Sequence, residues 1–128
     1  MEIRAVDASD PDELAAAGAV VQAGYFALVG YPHDDHYDHE IGAVDERVDD
    51  ATVVVAIDRD RVVACLTYLD DHEHPFAEHD DPDAATFRYF AVSPHAQGRG
   101  VGDAMVRWVI DRARADGNSR LGVTGFCY

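Results

Sequence analysis

The sequence predicts an α/β protein, of the α+β type, whose mostly antiparallel sheet is flanked by helices in the order β-α-α-β-β-β-α-β. Three observations predict it. Residues 52–57 and 61–69 are apolar, largely β-branched runs joined by Asp58-Arg59-Asp60, which reads as a hairpin. Val101, Ala104, Met105, Trp108, Val109 and Ala113 recur at helical spacing, and Gly117 stands where a helix of that register ends. Residues 86–92 precede this helix and 120–124 follow it as runs suited to strands, parallel to each other because a helix joins them. At 128 residues the chain suits one domain, residues 1–128.

The remaining elements follow in order. Residues 2–6 read as a short strand, Ile3 and Ala5 alternating with Arg4 and Val6. Asp10 is placed to cap a helix, Pro11 suits its first position, and Glu13 stands at capping-box spacing from Asp10. Leu14, Ala17, Val21, Tyr25 and Leu28 carry that helix toward Gly30, with Pro32 beyond. The polar run 33–40 reads as loop at first, and a shorter helix is expected around 38–48 with Ile41, Val44 and Val48 on one face. Residues 70–83, acidic and carrying Pro75 and Pro82, read as a long loop, and Ser93-Pro94 stops the strand at 86–92.

Composition narrows the function. Hydrophobic residues at 48% and charged residues at 27% are the balance of a globular protein, which argues against disorder and collagen-like structure. The longest apolar stretch, residues 14–21, is too short to span a bilayer, and the acidic first ten residues lack the basic start of a secretory signal. Cys65 and Cys127 stand far apart, outside metal-ligand spacing, so a reduced cytoplasmic protein is expected. The net charge is −15 and every basic residue is Arg. Such a surface repels nucleic acid and anionic membrane, so neither partner is expected. It is compatible with a cationic partner or substrate, and equally with adaptation to a salty cytoplasm or a GC-rich genome.

The chemistry-bearing motif lies at residues 97–102, Gln-Gly-Arg-Gly-Val-Gly, between strand and helix. Glycines let the backbone come close to a ligand, and the helix N-terminus adds partial positive charge, so a phosphate or pyrophosphate is the natural occupant. A P-loop is excluded because the chain has no Lys. A dinucleotide fingerprint fails because its third glycine would fall on Asp103 or Met105. Gln97, Gly100 and Gly102 do spell Gln-x-x-Gly-x-Gly.

That motif, after Phe90-Ala91-Val92-Ser93-Pro94 and before the helix, resembles motif A of the GNAT superfamily of acyl-CoA-dependent N-acyltransferases. The order of elements agrees over nearly the whole chain. The resemblance implies that acetyl-CoA is the co-substrate and that an acetyl group passes to an amine by direct attack in a ternary complex. It implies that Gln97, Gly98, Arg99, Gly100, Val101 and Gly102 form the pyrophosphate-binding turn, largely through backbone amides. It implies further that Ala91 and Val92 pair by main chain with the pantetheine arm. Asp103, a carboxylate beside that turn, departs from what suits a phosphate. Family members normally continue past the fifth strand into another helix and further strands, and that helix commonly supplies a Tyr that protonates the leaving thiolate. The sequence here ends at Tyr128, so a fold lacking its C-terminal part is expected and no role is carried onto Tyr128. An open edge beside residues 120–128 then favours a homodimer. The other function class is a catalytically silent GNAT-like module that binds coenzyme A or a partner chain.

Amine acylation needs a neutral amine and therefore a proton acceptor. Strand 86–92 carries no carboxylate, and Tyr89 is its candidate for proton handling, weighed against a plain packed aromatic. By the family resemblance, residues 31–40 and 70–83 help to shape the acceptor pocket. They hold His33, His36, His39, His72, His74 and His79 among many carboxylates. A solvated surface, an acidic mouth for a cationic amine and a metal site are all compatible with them. Asp34, Asp35 and Asp38 are the candidate acceptor-binding residues, for a small-molecule or peptide amine, and no metal ligands are assigned.

Overall fold

The computed structural model describes residues 1–71, 73, 74, 77 and 81–123. Its elements are β1 (Glu2–Ala5), α1 (Pro11–Phe26), α2 (Asp35–Gly42), α3 (Val44–Arg47), β2 (Thr52–Asp58), β3 (Arg61–Leu69), β4 (Ala84–Val92), α4 (Val101–Ala115) and β5 (Arg120–Val123). The strands form one sheet in the order β1-β2-β3-β4-β5. All pairings are antiparallel except β4 with β5, which are parallel across α4. This is the predicted fold class, with the single turn of α3 added. Among the described residues, no helix is long and apolar enough to cross a membrane.

The apolar runs of β2 and β3 are continuous because helices cover both faces of the sheet. Val54, Ala56, Leu66, Ala85 and Phe87 pack with Met105 and Val109 of α4. Val53, Val55, Cys65 and Tyr89 pack on the opposite face with Ala17 and Val21 of α1, Ile41 of α2 and Val44 of α3. Arg59 and Asp60, with φ of 52° and 64°, make the two-residue turn between β2 and β3, of the kind whose twist matches a hairpin.

The helices correct the sequence reading in three places. First, Asp10 caps α1 by accepting from the Asp12 and Glu13 amides, but Glu13 does not close a capping box. Its carboxylate accepts from the Asp7 amide and from Arg4 instead. Second, α1 ends at Phe26. Leu28 N–H bonds to Tyr25 O and Tyr31 N–H to Leu28 O, so the chain unwinds through tighter turns before Gly30. Third, the polar run is helical from Asp35. Asp34 caps α2 through the Tyr37 amide, and Asp35 and Asp38 stand in the first turn, where a helix dipole favours carboxylates. The single helix expected at 38–48 is broken at Ala43 (ψ 58°), where Arg47 folds back to donate to Glu40 O (2.5 Å) and Ile41 O (2.9 Å).

β4 begins at Ala84, two residues before the predicted strand, because its parallel pairing starts at Ala84 with Arg120 and Ala85 with Leu121. Since β3 and β4 are antiparallel, Asp70 and Asp71 after β3 and Asp83 before β4 lie at the end of the sheet opposite residues 93–102. Asp70, Asp71 and Asp83 are therefore remote from the glycine-rich turn at residues 97–102. His72 and His79 lie outside the described residues, as do residues 124–128.

Candidate functional site

The turn that follows β4 is built around two left-handed glycines. Gly98 and Gly100 both have φ of 80°, a conformation that costs an L side chain about 1–2 kcal/mol. Gly100 is the N-cap of α4, and without a side chain it makes no cap hydrogen bond. The first amides of α4 therefore have neither a helical acceptor nor a capping oxygen. Gln97 fixes the turn from the other side, its Nε2 donating to Val92 O at 3.2 Å. Gly102 seats the helix on the strand, since a Cβ there would lie 3.7 Å from Phe90 Cζ and 3.8 Å from Val92 Cγ2. Arg99 is exposed and makes no ion pair among the described residues. Asp103 is drawn down the helix by Arg107, Oδ2 to Nε 3.1 Å.

Alongside this turn the sheet opens. β3 and β4 pair as Cys65 with Ala91 and Thr67 with Arg88, so Tyr89 and Phe90 oppose Leu66 alone. This is a β-bulge in β4. It reverses the alternation: Phe87 and Phe90 share the α4 face, their rings 5.8 Å apart, while Tyr89 turns to the α1 face. Tyr89 holds φ of 54°, a strained value for a non-glycine residue. β5 pairs with β4 only over Ala84–Phe87. Among the described residues, the β5-side edge of β4 near Ala91 and Val92 therefore carries no strand. α1 closes over Ala91 so tightly that a Cβ on Gly24 would come within 2.5 Å of the Ala91 Cβ.

Tyr89 is the hub of a polar cluster in the α1 face. Its hydroxyl donates to Glu40 Oε2 at 2.8 Å. Arg47 lies over its ring at 4.1 Å from the centroid and Arg88 at 4.3 Å, both cation–π distances. Arg47 is 2% exposed and also donates to Thr67 Oγ1 at 3.1 Å, tying α3 to β3. Burial lowers the Arg47 pKa, against the pull of Cys65, Tyr89 and Glu40. Burial raises the Tyr89 pKa, with Arg88 opposing and the Glu40 bond adding to the rise. Burial likewise pushes the Cys65 thiol up to about 12 and Tyr25 up to about 12, so both stay protonated near neutral pH.

The three candidate aspartates have separate places. Asp34 is the α2 cap, and Asp35 is exposed. Asp38 accepts from Tyr31 Oη at 2.6 Å and lies 3.1 Å from His33 Nδ1; the Tyr31 bond is the main cause of its lowered pKa. His33 precedes α2, so the three histidines at spacing three do not share one helix. Among the described residues no three His, Cys, Asp or Glu side chains gather into a metal-binding group. Glu40 is the residue that sequence reasoning missed. It joins Tyr89 across 49 positions, and no local pattern signals such a pair.

Residues 20–126 match the family model for the acetyltransferase (GNAT) family. Solved structures share the architecture at low identity. A GNAT family acetyltransferase from Brucella melitensis, in complex with acetyl-CoA, superposes with a TM-score of 0.69 at 20% identity over 98% of this chain and 76% of its own. The ribosomal-protein-alanine N-acetyltransferase of Brucella melitensis gives 0.66 at 20% identity, over 96% of this chain and 73% of its own. An aminoglycoside acetyltransferase from an uncultured soil metagenomic sample, in complex with sisomicin, gives 0.66 at 16% identity, over 98% and 77%. No curated protein matches the sequence.

Proposed function

Because the chain belongs to the acetyltransferase (GNAT) family, we propose that residues 1–128 act as one domain. This domain transfers an acetyl group from acetyl-CoA to the amine of a small-molecule or peptide acceptor, by direct attack in a ternary complex. The observation that carries this reading is the uncapped N-terminus of α4 standing at the end of the open edge of β4. Amides of the turn formed by Gln97, Gly98, Arg99, Gly100, Val101 and Gly102 hold the pyrophosphate, and the exposed Arg99 side chain reaches a phosphate oxygen. The pantetheine arm runs along Ala91 and Val92, taking the hydrogen bonds that a further strand would make. Its thioester then ends beside the bulge at Tyr89.

The acceptor is a cationic amine. The net charge of −15 supports this, as do neighbours described as acting on a ribosomal-protein alanine or as binding sisomicin. Asp34, Asp35 and Asp38 give its entrance an acidic rim. The reaction is cytoplasmic, where Cys65 and Cys127 stay reduced. The β5 edge pairs two copies into a homodimer, and a clean 14.0 kDa species in sedimentation at micromolar concentration would remove that part.

Release of coenzyme A thiol from acetyl-CoA, followed against spermidine, an aminoglycoside and an alanine-terminated peptide, tests the reaction. Amine-dependent release with at least one of them is expected. Acetyl-CoA binding with no release for any amine would leave a silent coenzyme A-binding module in its place.

A further inference from the structure

We infer that Glu40 is the proton acceptor for the incoming amine, held in position by Tyr89 and Arg47. The inference rests on the acetyl-transfer reading above and assigns the base within it. Of the carboxylates on and around α2, Asp34 is occupied with the helix cap and Asp38 with Tyr31 and His33. Glu40 differs. Its Oε2 accepts from the Tyr89 hydroxyl at 2.8 Å, and its Oε1 has no partner among the described residues. The side chain is half-buried, so it keeps a route to solvent.

Its location follows from how its main chain is gripped. Arg47 holds Glu40 O and Ile41 O at the end of α2, and Gln22 of α1 donates to Asp38 O at 3.0 Å. Tyr89 meanwhile departs from strand geometry to bring its hydroxyl to that carboxylate, at φ of 54°. The bulge thus points a buried tyrosine from the thioester end of the groove straight at Glu40. The charged and titratable groups around the pair are Arg47 from α3, Arg88 from β4, Cys65 from β3 and Tyr25 from α1.

The acceptor arrives as an ammonium, and one N–H proton passes to Glu40 Oε1. The freed lone pair attacks the thioester carbonyl carbon, forming the C–N bond. The C–S bond breaks, and the thiolate takes up the second proton shed by the new amide nitrogen. Glu40 returns its proton to solvent. A positioned base of this kind contributes about 10²–10⁴-fold.

Glu40→Gln keeps the acceptor for the Tyr89 hydroxyl and removes the base. Its kcat should fall by on the order of 10²-fold near neutral pH, with acetyl-CoA affinity by calorimetry unchanged. Its rate should climb with pH as the amine deprotonates unaided. Formate should partly restore Glu40→Ala, which a purely structural role would not allow. Tyr89→Phe should lose less than Glu40→Gln, because it leaves the base and removes only its anchor. A wild-type chain that binds acetyl-CoA and turns over an amine, with Glu40→Gln at the same rate, overturns the inference alone. A wild type that binds acetyl-CoA and turns over no amine overturns the acetyl-transfer reading and the inference with it. A wild type that binds no acetyl-CoA overturns the reading beneath it.

Discussion

Gly102→Glu separates the fold from the site, because the two should respond in opposite directions. Gly102 lies inside α4, and its φ is not among the positive ones. A Cβ there meets Phe90 Cζ at 3.7 Å and Val92 Cγ2 at 3.8 Å, ordinary packing distances. Removing a helical glycine is worth about 0.5–1 kcal/mol, and a carboxylate in the first turn adds about 0.3–1 kcal/mol from the dipole. The variant should therefore melt at or a few degrees above the wild type. Acetyl-CoA, in contrast, would meet a negative charge where the proposed function seats its pyrophosphate. Two unit charges 4 Å apart repel by about 1 kcal/mol in water and about 4 kcal/mol at an effective dielectric constant of 20. At about 1.4 kcal/mol per tenfold, the dissociation constant should rise about 5- to 10³-fold. Calorimetry and a thermal melt on the same sample read both quantities. An unchanged dissociation constant would refute the placement of the pyrophosphate.

Other expectations address the supports of the site. Gly100→Ala should cost about 1–2 kcal/mol, since φ of 80° strains any L side chain although nothing blocks the added methyl; a lowered melting temperature checks it. Arg47→Ala leaves Ile41 O and the Thr67 hydroxyl without this donor, and Glu40 O with the Ala43 amide only. It should lower stability by about 3 kcal/mol in urea unfolding, and a midpoint at or above wild type would contradict that. Glu13 has its pKa lowered chiefly by the hydrogen bond from Arg4. A depressed carboxylate stabilises the fold above its unfolded pKa and loses that contribution as pH falls through its folded one. Glu13→Gln should thus cost about 1 kcal/mol at pH 7, and the difference from wild type should shrink as the pH of the unfolding series is lowered into the acid range.

What the sequence made legible is what local chemistry decides. The glycine turn before α4 was readable because left-handed positions demand glycine and because the α4 register is strongly periodic. The hairpin was readable because two β-branched runs flank a three-residue polar connection. The run at 33–40 reads as loop by its polarity, whereas Asp34, Asp35 and Asp38 are carboxylates of the kind that start a helix. The break at Ala43 comes from a buried Arg47 reaching back over six and seven residues, which periodicity does not register. The bulge is hidden for a different reason. Phe87, Tyr89 and Ala91 read as one face of a strand, and only pairing with β3 shows that Phe87 and Tyr89 point to opposite sides. Glu40 belongs to the same class, since its partner lies on another element.

Amide resonances of the wild-type chain during titration with acetyl-CoA test the central claim most directly. The account predicts saturable shifts at Ala91, Val92 and the amides from Gly98 to Asp103, with residues 49–51 and 70–71 at the opposite end of the sheet unmoved. No saturable shift, or shifts gathered around Asp49, Asp50 and Asp70 instead, would contradict it.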